Sequence, residues 1–249
     1  MTMHAAARLS RAGVASLLFA CTTARAGPPF VTDDPEPVDL HHWEINTAVT
    51  GTWRPGQASL GAPSVDINYG AAPGVQLHAQ PRYSIERDGA TTTGLDDTEI
   101  GVKYRFYERR ADDASLMLAI YPMYLVATGA RHLGADRGTH GVFLPLWAQI
   151  DRGPWTVYGG AGYRISHQVD GRNSTFTGIT VLRKLGGELQ LGLEAFHETP
   201  TAADAGSTSG FNVGGSRVLS PALNLLFSAG RSFGNQASNL FYVGLQVHF

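Results

Sequence analysis

The sequence predicts an all-β fold, an antiparallel transmembrane β-barrel of about twelve strands, and three observations carry the prediction. The first is the closing segment, Leu240 to Phe249. Phe241, Val243, Leu245, Val247 and Phe249 share one face, while Leu240, Tyr242, Gly244, Gln246 and His248 share the other. Side chains alternate across a strand, so one face is wholly apolar over the ~9–11 residues that a tilted barrel strand needs. The second is composition. Only 16% of the 249 residues are charged, against ~25% in soluble chains. There are 30 glycines and 10% aromatics, yet no apolar run after residue 26 reaches the ~20 residues of a membrane-spanning helix. The third is that short alternating segments recur along the chain with short and long connections taking turns, as in barrels with short periplasmic turns and longer outer loops. A secreted β-sandwich shares the composition; strand count and loop alternation separate the two.

Residues 1–26 read as a cleavable export signal. Arg8 and Arg11 form a positive start, Ala12 to Ala20 a short apolar core, and Ala24-Arg25-Ala26 a small-x-small cleavage pattern ahead of Gly27. Lipoprotein processing at Cys21 is the competing reading, with Phe19 standing where a small residue is usual. Ordinary cleavage removes Arg8, Arg11, Arg25 and the single cysteine, moving the formal net charge from −2 to −5. It also excludes disulfides, thiol catalysis and thiolate metal sites. An acidic chain without clustered Lys and Arg excludes a nucleic-acid interface. Residues 27–41 then form a Pro-rich periplasmic leader, and 42–249 the barrel.

The first strand is expected over 42–54, with Trp43, Ile45, Thr47, Val49, Gly51 and Trp53 toward lipid. At ~3.3 Å per residue and a tilt near 40°, Trp43 and Trp53 project roughly 25 Å apart, about the height of the apolar band, which marks them as membrane-interface aromatics. Further strands are expected over 65–70, 75–86, 99–106, 115–128, 141–151, 155–167, 174–184, 188–198, 211–219, 222–233 and 239–249. Pro81 cannot donate to a ladder and marks a break. Long connections are expected at 55–63, 87–97, 130–140, 169–173, 201–210 and 234–238. An even count places both chain ends on the periplasmic side. Ten strands is the alternative, because 115–151 is apolar on both faces and leaves its register open.

Parity turns His78, Arg82, Glu99, Lys103, Arg105, Arg164 and Glu194 toward the lumen as pore-lining candidates, together with Gln76, Gln80, Glu86 and Gln190. Both signs of charge occur, so no strong ion selectivity is expected. Tyr107, Phe143, Trp147, Tyr158, Phe196 and Tyr242 are also expected inside, filling volume or facing an aromatic solute. Eight strands leave a filled interior and sixteen an open channel; twelve suits a narrow or partly plugged pore.

The leader runs Gly27-Pro-Pro-Phe-Val-Thr-Asp-Asp-Pro-Glu-Pro-Val38, followed by His42-Trp43-Glu44. Four prolines exclude a regular helix or central strand. Asp33, Asp34 and Glu36 are hard oxygen ligands, so a cation site is one reading, although the spacing matches no calcium loop. A solvated leader packed across the lower opening is the second. A third is ion pairing with lumen-facing arginines that orders the leader as a partial plug. In wording, 27–44 resembles the outer-membrane transporter family named for phenol meta-degradation pathways. Tyr242-x-Gly244-x-x-Val247-x-Phe249 resembles the terminal signal that outer-membrane barrels present to their assembly machinery. The family resemblance implies a barrel in the outer membrane of a Gram-negative bacterium, a channel for passive uptake of small hydrophobic or aromatic compounds. Its implied partners are outer-membrane lipids, the assembly machinery and the solute.

Catalysis is not expected, nor any cofactor or metal. There is no Gly-x-Ser-x-Gly elbow, His-Glu-x-x-His pair, phosphate loop or dinucleotide fingerprint. Ser166 and His167 are adjacent, which in a strand sends them to opposite faces. His197, near Glu194 and Glu198, is either a metal ligand or a loop-rim residue. The rival readings are a structural or surface barrel without transport, and a membrane-lipid enzyme.

Overall fold

A computed structural model describes residues 28–133, 138–167, 171–203, 205–234 and 237–249. The export signal, Cys21 and Gly27 lie outside the described residues. The strands are β1 (Trp43–Arg54), β2 (Gln57–Ala72), β3 (Val75–Gln80), β4 (Arg82–Asp88), β5 (Ala90–Leu95), β6 (Thr98–Arg110), β7 (Ala114–Ile120) and β8 (Met123–Val126). They continue as β9 (Gly141–Arg152), β10 (Trp155–Ser166), β11 (Ser174–Lys184), β12 (Leu189–Glu198), β13 (Thr208–Ser220), β14 (Leu223–Phe233) and β15 (Asn239–His248).

Fifteen pieces make twelve wall strands, because three neighbouring wall positions are each broken once. β3 and β4 part at Pro81, β5 and β6 at Asp96-Asp97, and β7 and β8 at Tyr121-Pro122. β2 pairs with both β3 and β4, while β7 and β8 both pair with β6 and with β9. The break at Pro122 explains why 115–151 has an ambiguous register in sequence: one wall strand is read in two halves. The ten-strand alternative does not hold.

Closure is antiparallel throughout. β1 pairs with β2 on one side and with β15 on the other, from Glu44 opposite His248 to Trp53 opposite Asn239. Trp43 and Phe249 exchange backbone hydrogen bonds of 2.7 and 3.1 Å at the seam. A sheet without edges has every strand donor paired within the wall, which lipid requires.

The interior is polar and the exterior apolar. Asn46, Asp66, Asn68, Gln76, Lys103, Gln149, Glu194, Asn212 and Gln246 are buried, whereas Leu146, Ile179, Leu193, Val213 and Val243 are half or more exposed. A sandwich would reverse that order, and a soluble protein rarely shows so much contiguous apolar surface. Trp43 and Trp53 lie on the outer face, against Tyr69 (centroids 4.5 Å) and Phe241 (5.6 Å).

Two expectations about elements are corrected. The loops expected at 55–63 and 87–97 are strand: β1 turns into β2 across Pro55-Gly56, and β4 into β5 at Gly89. Both glycines have φ near +80° and +70° (82° and 71°), which a tight reversal needs. Above the membrane both faces of a strand meet water, so pairing continues although the apolar alternation stops. Tyr107 faces outward, because a bulge between Arg105 and Tyr107 resets parity and brings Glu108 inside.

Candidate functional site: the lumen and its leader

The leader crosses the inside of the barrel. Near its start, Ser228 Oγ on β14 donates to the Pro29 carbonyl (2.6 Å), and the Thr32 amide donates to Glu194 Oε1 on β12 (2.5 Å). At its end, the Val38 amide donates to Gln76 Oε1 on β3 (2.9 Å), and Leu40 bridges Gly70 on β2. Thr32 and Asp34 are fully buried. Buried backbone N–H groups must find partners, and the leader meets this demand with few of them. Its prolines carry no N–H, the Glu36 amide turns back onto Asp34 Oδ1 (2.6 Å), and wall side chains take those of Thr32 and Val38.

Two glycines on different walls make room for it. A Cβ on Gly178 would lie 2.0 Å from Thr32 Oγ1, and one on Gly70 would lie 2.0 Å from the Asp39 carbonyl oxygen. Nothing in the local sequence marks either glycine as a seat for a segment so distant along the chain.

The charged centre of the contact is Lys103 on β6. Its Nζ donates to Asp33 Oδ1 (3.1 Å), lies 3.7 Å from Asp34 Oδ1, and sits over the Tyr121 ring at 4.9 Å. Burial holds the Asp34 carboxyl well above the ordinary carboxylate range; Lys103 pulls it back, and Asp33 and Glu36 push it further up. One of the three readings of the leader pairs its acids with lumen-facing arginines. The observed partner is a lysine, whose compact ammonium lies within ion-pair distance of both carboxylates. Asp33 and Asp34 converge on that ammonium rather than on an open coordination position.

A polar network adjoins it. Asn46 and Asn68 donate to the two oxygens of Asp66 (3.1 and 2.9 Å), and Gln76 Nε2 donates to Asn68 Oδ1 (2.7 Å). His78 lies between Asp66 (2.9 Å) and Glu99 (3.6 Å). Between leader and wall remains a cavity of about 220 Å³, whose lining includes Tyr121, Met123, Phe143 and Trp147 as well as Asp33, Asp66 and Glu99. Those four wall residues and Phe176 form the apolar cluster inside the barrel. A second cavity of about 110 Å³ shares Glu99, Met123, Phe143 and Arg164 with the first and includes Arg172 and Thr201 of the outer connections. Below the leader, a cavity of about 270 Å³ is lined by Glu108, Met117, Asp151 and Glu36, which also lines the first.

Of the pore-lining candidates, His78, Glu99, Lys103 and Arg164 meet around the first cavity. Arg164 stacks on Phe143 (4.4 Å) and reaches Glu198 (3.4 Å). Glu194 holds the leader and accepts from Asn212 (2.6 Å). Arg82 lies above, 3.9 Å from Asp96, and Arg105 lies below, 3.0 Å from Glu108. Tyr242 and Gly244 share the inner side of β15, Val247 the outer, and Phe249 is exposed at the seam. His197 faces outward and donates or accepts a 2.8 Å bond with Ser209 Oγ, while Glu194 and Glu198 face inward; alternation keeps these three apart. Sequence parity passed over Asp66, Asn68, Thr32 and Ser228 as contacts, although Asp66 and Asn68 stand at inward positions of a legible alternation.

Together these features define a closed twelve-stranded barrel of the bacterial outer-membrane type. Solved structures of similar fold include an outer membrane channel from Pseudomonas putida F1, with TM-score 0.64 and 14% identity over 86% of this chain and 97% of that one. The KdgM porin matches at TM-score 0.56 and 11% identity over 83% and 99% of the two chains. The NanC porin matches at 0.55 and 6% over 82% and 98%. No family model and no curated protein matches the sequence. At such identities the likeness is one of fold.

Proposed function

We propose that this chain is an outer-membrane channel for the passive uptake of small hydrophobic or aromatic compounds, occluded by its own leader. The observation that carries the reading is a cavity inside a closed barrel, directly against the segment that crosses the lumen, with Phe30, Tyr121, Phe143 and Trp147 in its lining. A cavity of ~150 Å³ takes benzene, so about 220 Å³ has room for a substituted single ring. The P. putida protein and the two porins of similar fold are described as channels, which supports the same class of role.

The leader's position also favours a second reading, a barrel that does not transport. Uptake of a labelled single-ring aromatic by intact cells, with and without the chain, separates the two. The expected result is slowed uptake without it and recovery when it is restored. Unchanged uptake, together with a purified barrel that stays non-conducting when residues 28–41 are removed, overturns the channel.

A further inference from the structure

We propose that one half of the barrel wall carries, on its lipid side at the end with the short turns, a binding face for the phosphates of anionic phospholipids. Four arginines make it: Arg109 on β6, Arg152 on β9, Arg183 on β11 and Arg217 on β13. Every second wall strand from β6 to β13 has one, with β7, β10 and β12 between them. Neighbouring strands lie ~4.8 Å apart, so the arginines recur at roughly 10 Å along the wall, close to the width of one lipid.

Register fixes the side they face. Arg109 stands opposite Leu116, which stands opposite the exposed Ile150. Arg152 and Arg183 both stand opposite the exposed Trp155, and the Arg183 guanidinium lies over its ring at 5.0 Å. Arg217 continues the outward alternation of Phe211 and Val213. Leu185 and Leu219, two residues farther toward the turns than Arg183 and Arg217, are about half exposed. Apolar side chains beyond the arginines and an indole beside them place the row at a membrane interface, where long basic side chains reach for headgroups.

The row is also unpaired and one-sided. Arg152 meets Asp113 at 3.2 Å, an exposed pair, whereas Arg109, Arg183 and Arg217 have no ion-pair partner among the described residues. At the same end, β14, β15, β1, β2 and β3 turn Leu225, Val247, Trp43, Tyr69 and Leu77 outward, with no basic residue in that row. A general interface belt would run evenly around the barrel. A half-belt of guanidinium forks instead matches headgroups that carry phosphate and a net negative charge. The inference rests on the membrane barrel and is independent of the channel reading.

The probes are phosphatidylglycerol and phosphatidylcholine with brominated chains, which quench a tryptophan they touch. The full-length barrel is folded into vesicles of the two lipids mixed, with one or the other brominated. In a Trp43→Phe/Trp53→Phe barrel the lipid-facing reporter is Trp155, since Trp147 is buried inside. In a Trp53→Phe/Trp155→Phe barrel it is Trp43, on the side without arginines. The expected result is phosphatidylglycerol enriched about fivefold at Trp155, the equivalent of about 1 kcal/mol for one basic group at a negative surface. No enrichment is expected at Trp43, and that at Trp155 falls at high salt. Arg109→Gln/Arg183→Gln/Arg217→Gln removes it, with folding verified by the heat-dependent gel shift. Equal quenching of Trp155 by the two lipids, the same enrichment at Trp43, or a triple variant that keeps the preference overturns the inference. Native mass spectrometry gives a second decision without tryptophan replacement. The unaltered barrel should retain more phosphatidylglycerol than the triple variant, and equal retention overturns the inference as well.

Discussion

At Lys103 two parts of the chain meet that have no local relation. The alternation of β6 turns its ammonium inward, and the leader arrives with Asp33 and Asp34. Removing one partner of a buried ion pair leaves an uncompensated charge and costs about 3–5 kcal/mol. Lys103→Met should therefore release the leader, seen as a higher open fraction in single-channel recordings with the folded barrel retained. Asp34 predicts the opposite behaviour from its neighbour. Its docked carboxyl holds a proton more tightly than in the free leader, because burial outweighs the attraction of Lys103. Docking is then strongest below the ordinary carboxylate range and weakens as pH rises through that range toward the raised value. The open fraction should be lower near pH 4 than near pH 7. Asp34→Asn should close the channel further at neutral pH and flatten this dependence, whereas Asp33→Asn should loosen the leader by removing the nearer partner of Lys103.

At the scale of elements, the leader and the wall are fitted by sterics as much as by charge. Gly178 lies inward on β11, where a side chain would overlap Thr32. Gly178→Val should unseat the leader and raise conductance, while the barrel keeps its gel shift, since β-branched residues suit strands. Unchanged conductance in that variant would mean that the leader does not rest there in the membrane. Strand identity was legible because the period of two is enforced wherever one face meets lipid and the other water. It failed at 55–63 and 87–97, where both faces meet water, and at Tyr107, where a single bulged residue reverses parity. The ambiguity over 115–151 had a cause as well, the interruption at Tyr121-Pro122 within one wall strand.

For the whole molecule, closure is the condition for stability in lipid. Trp43 and Phe249 complete the β1–β15 seam with two backbone hydrogen bonds, each worth about 1 kcal/mol net in water and dearer to lose where no water can replace them. Deleting Phe249 should lower the yield of heat-modifiable barrel more than it changes conductance per folded channel. Equal yields would count against a role for the terminal residue in assembly. What the sequence determined by itself was the wall: an antiparallel barrel of about twelve strands, an apolar exterior, and the inward facing of His78, Glu99, Lys103, Arg164 and Glu194. Each of these follows from alternation, a local rule read along one strand. Only the tertiary structure decided where the leader lies and what the lumen's charge becomes. Thr32 and Glu194 are separated by 162 residues, and Val38 and Gln76 by 38. Such pairings depend on barrel diameter, on two glycine seats and on the burial of Asp34 beside the half-buried Asp33 and Glu36. None of these is a property of any segment taken alone.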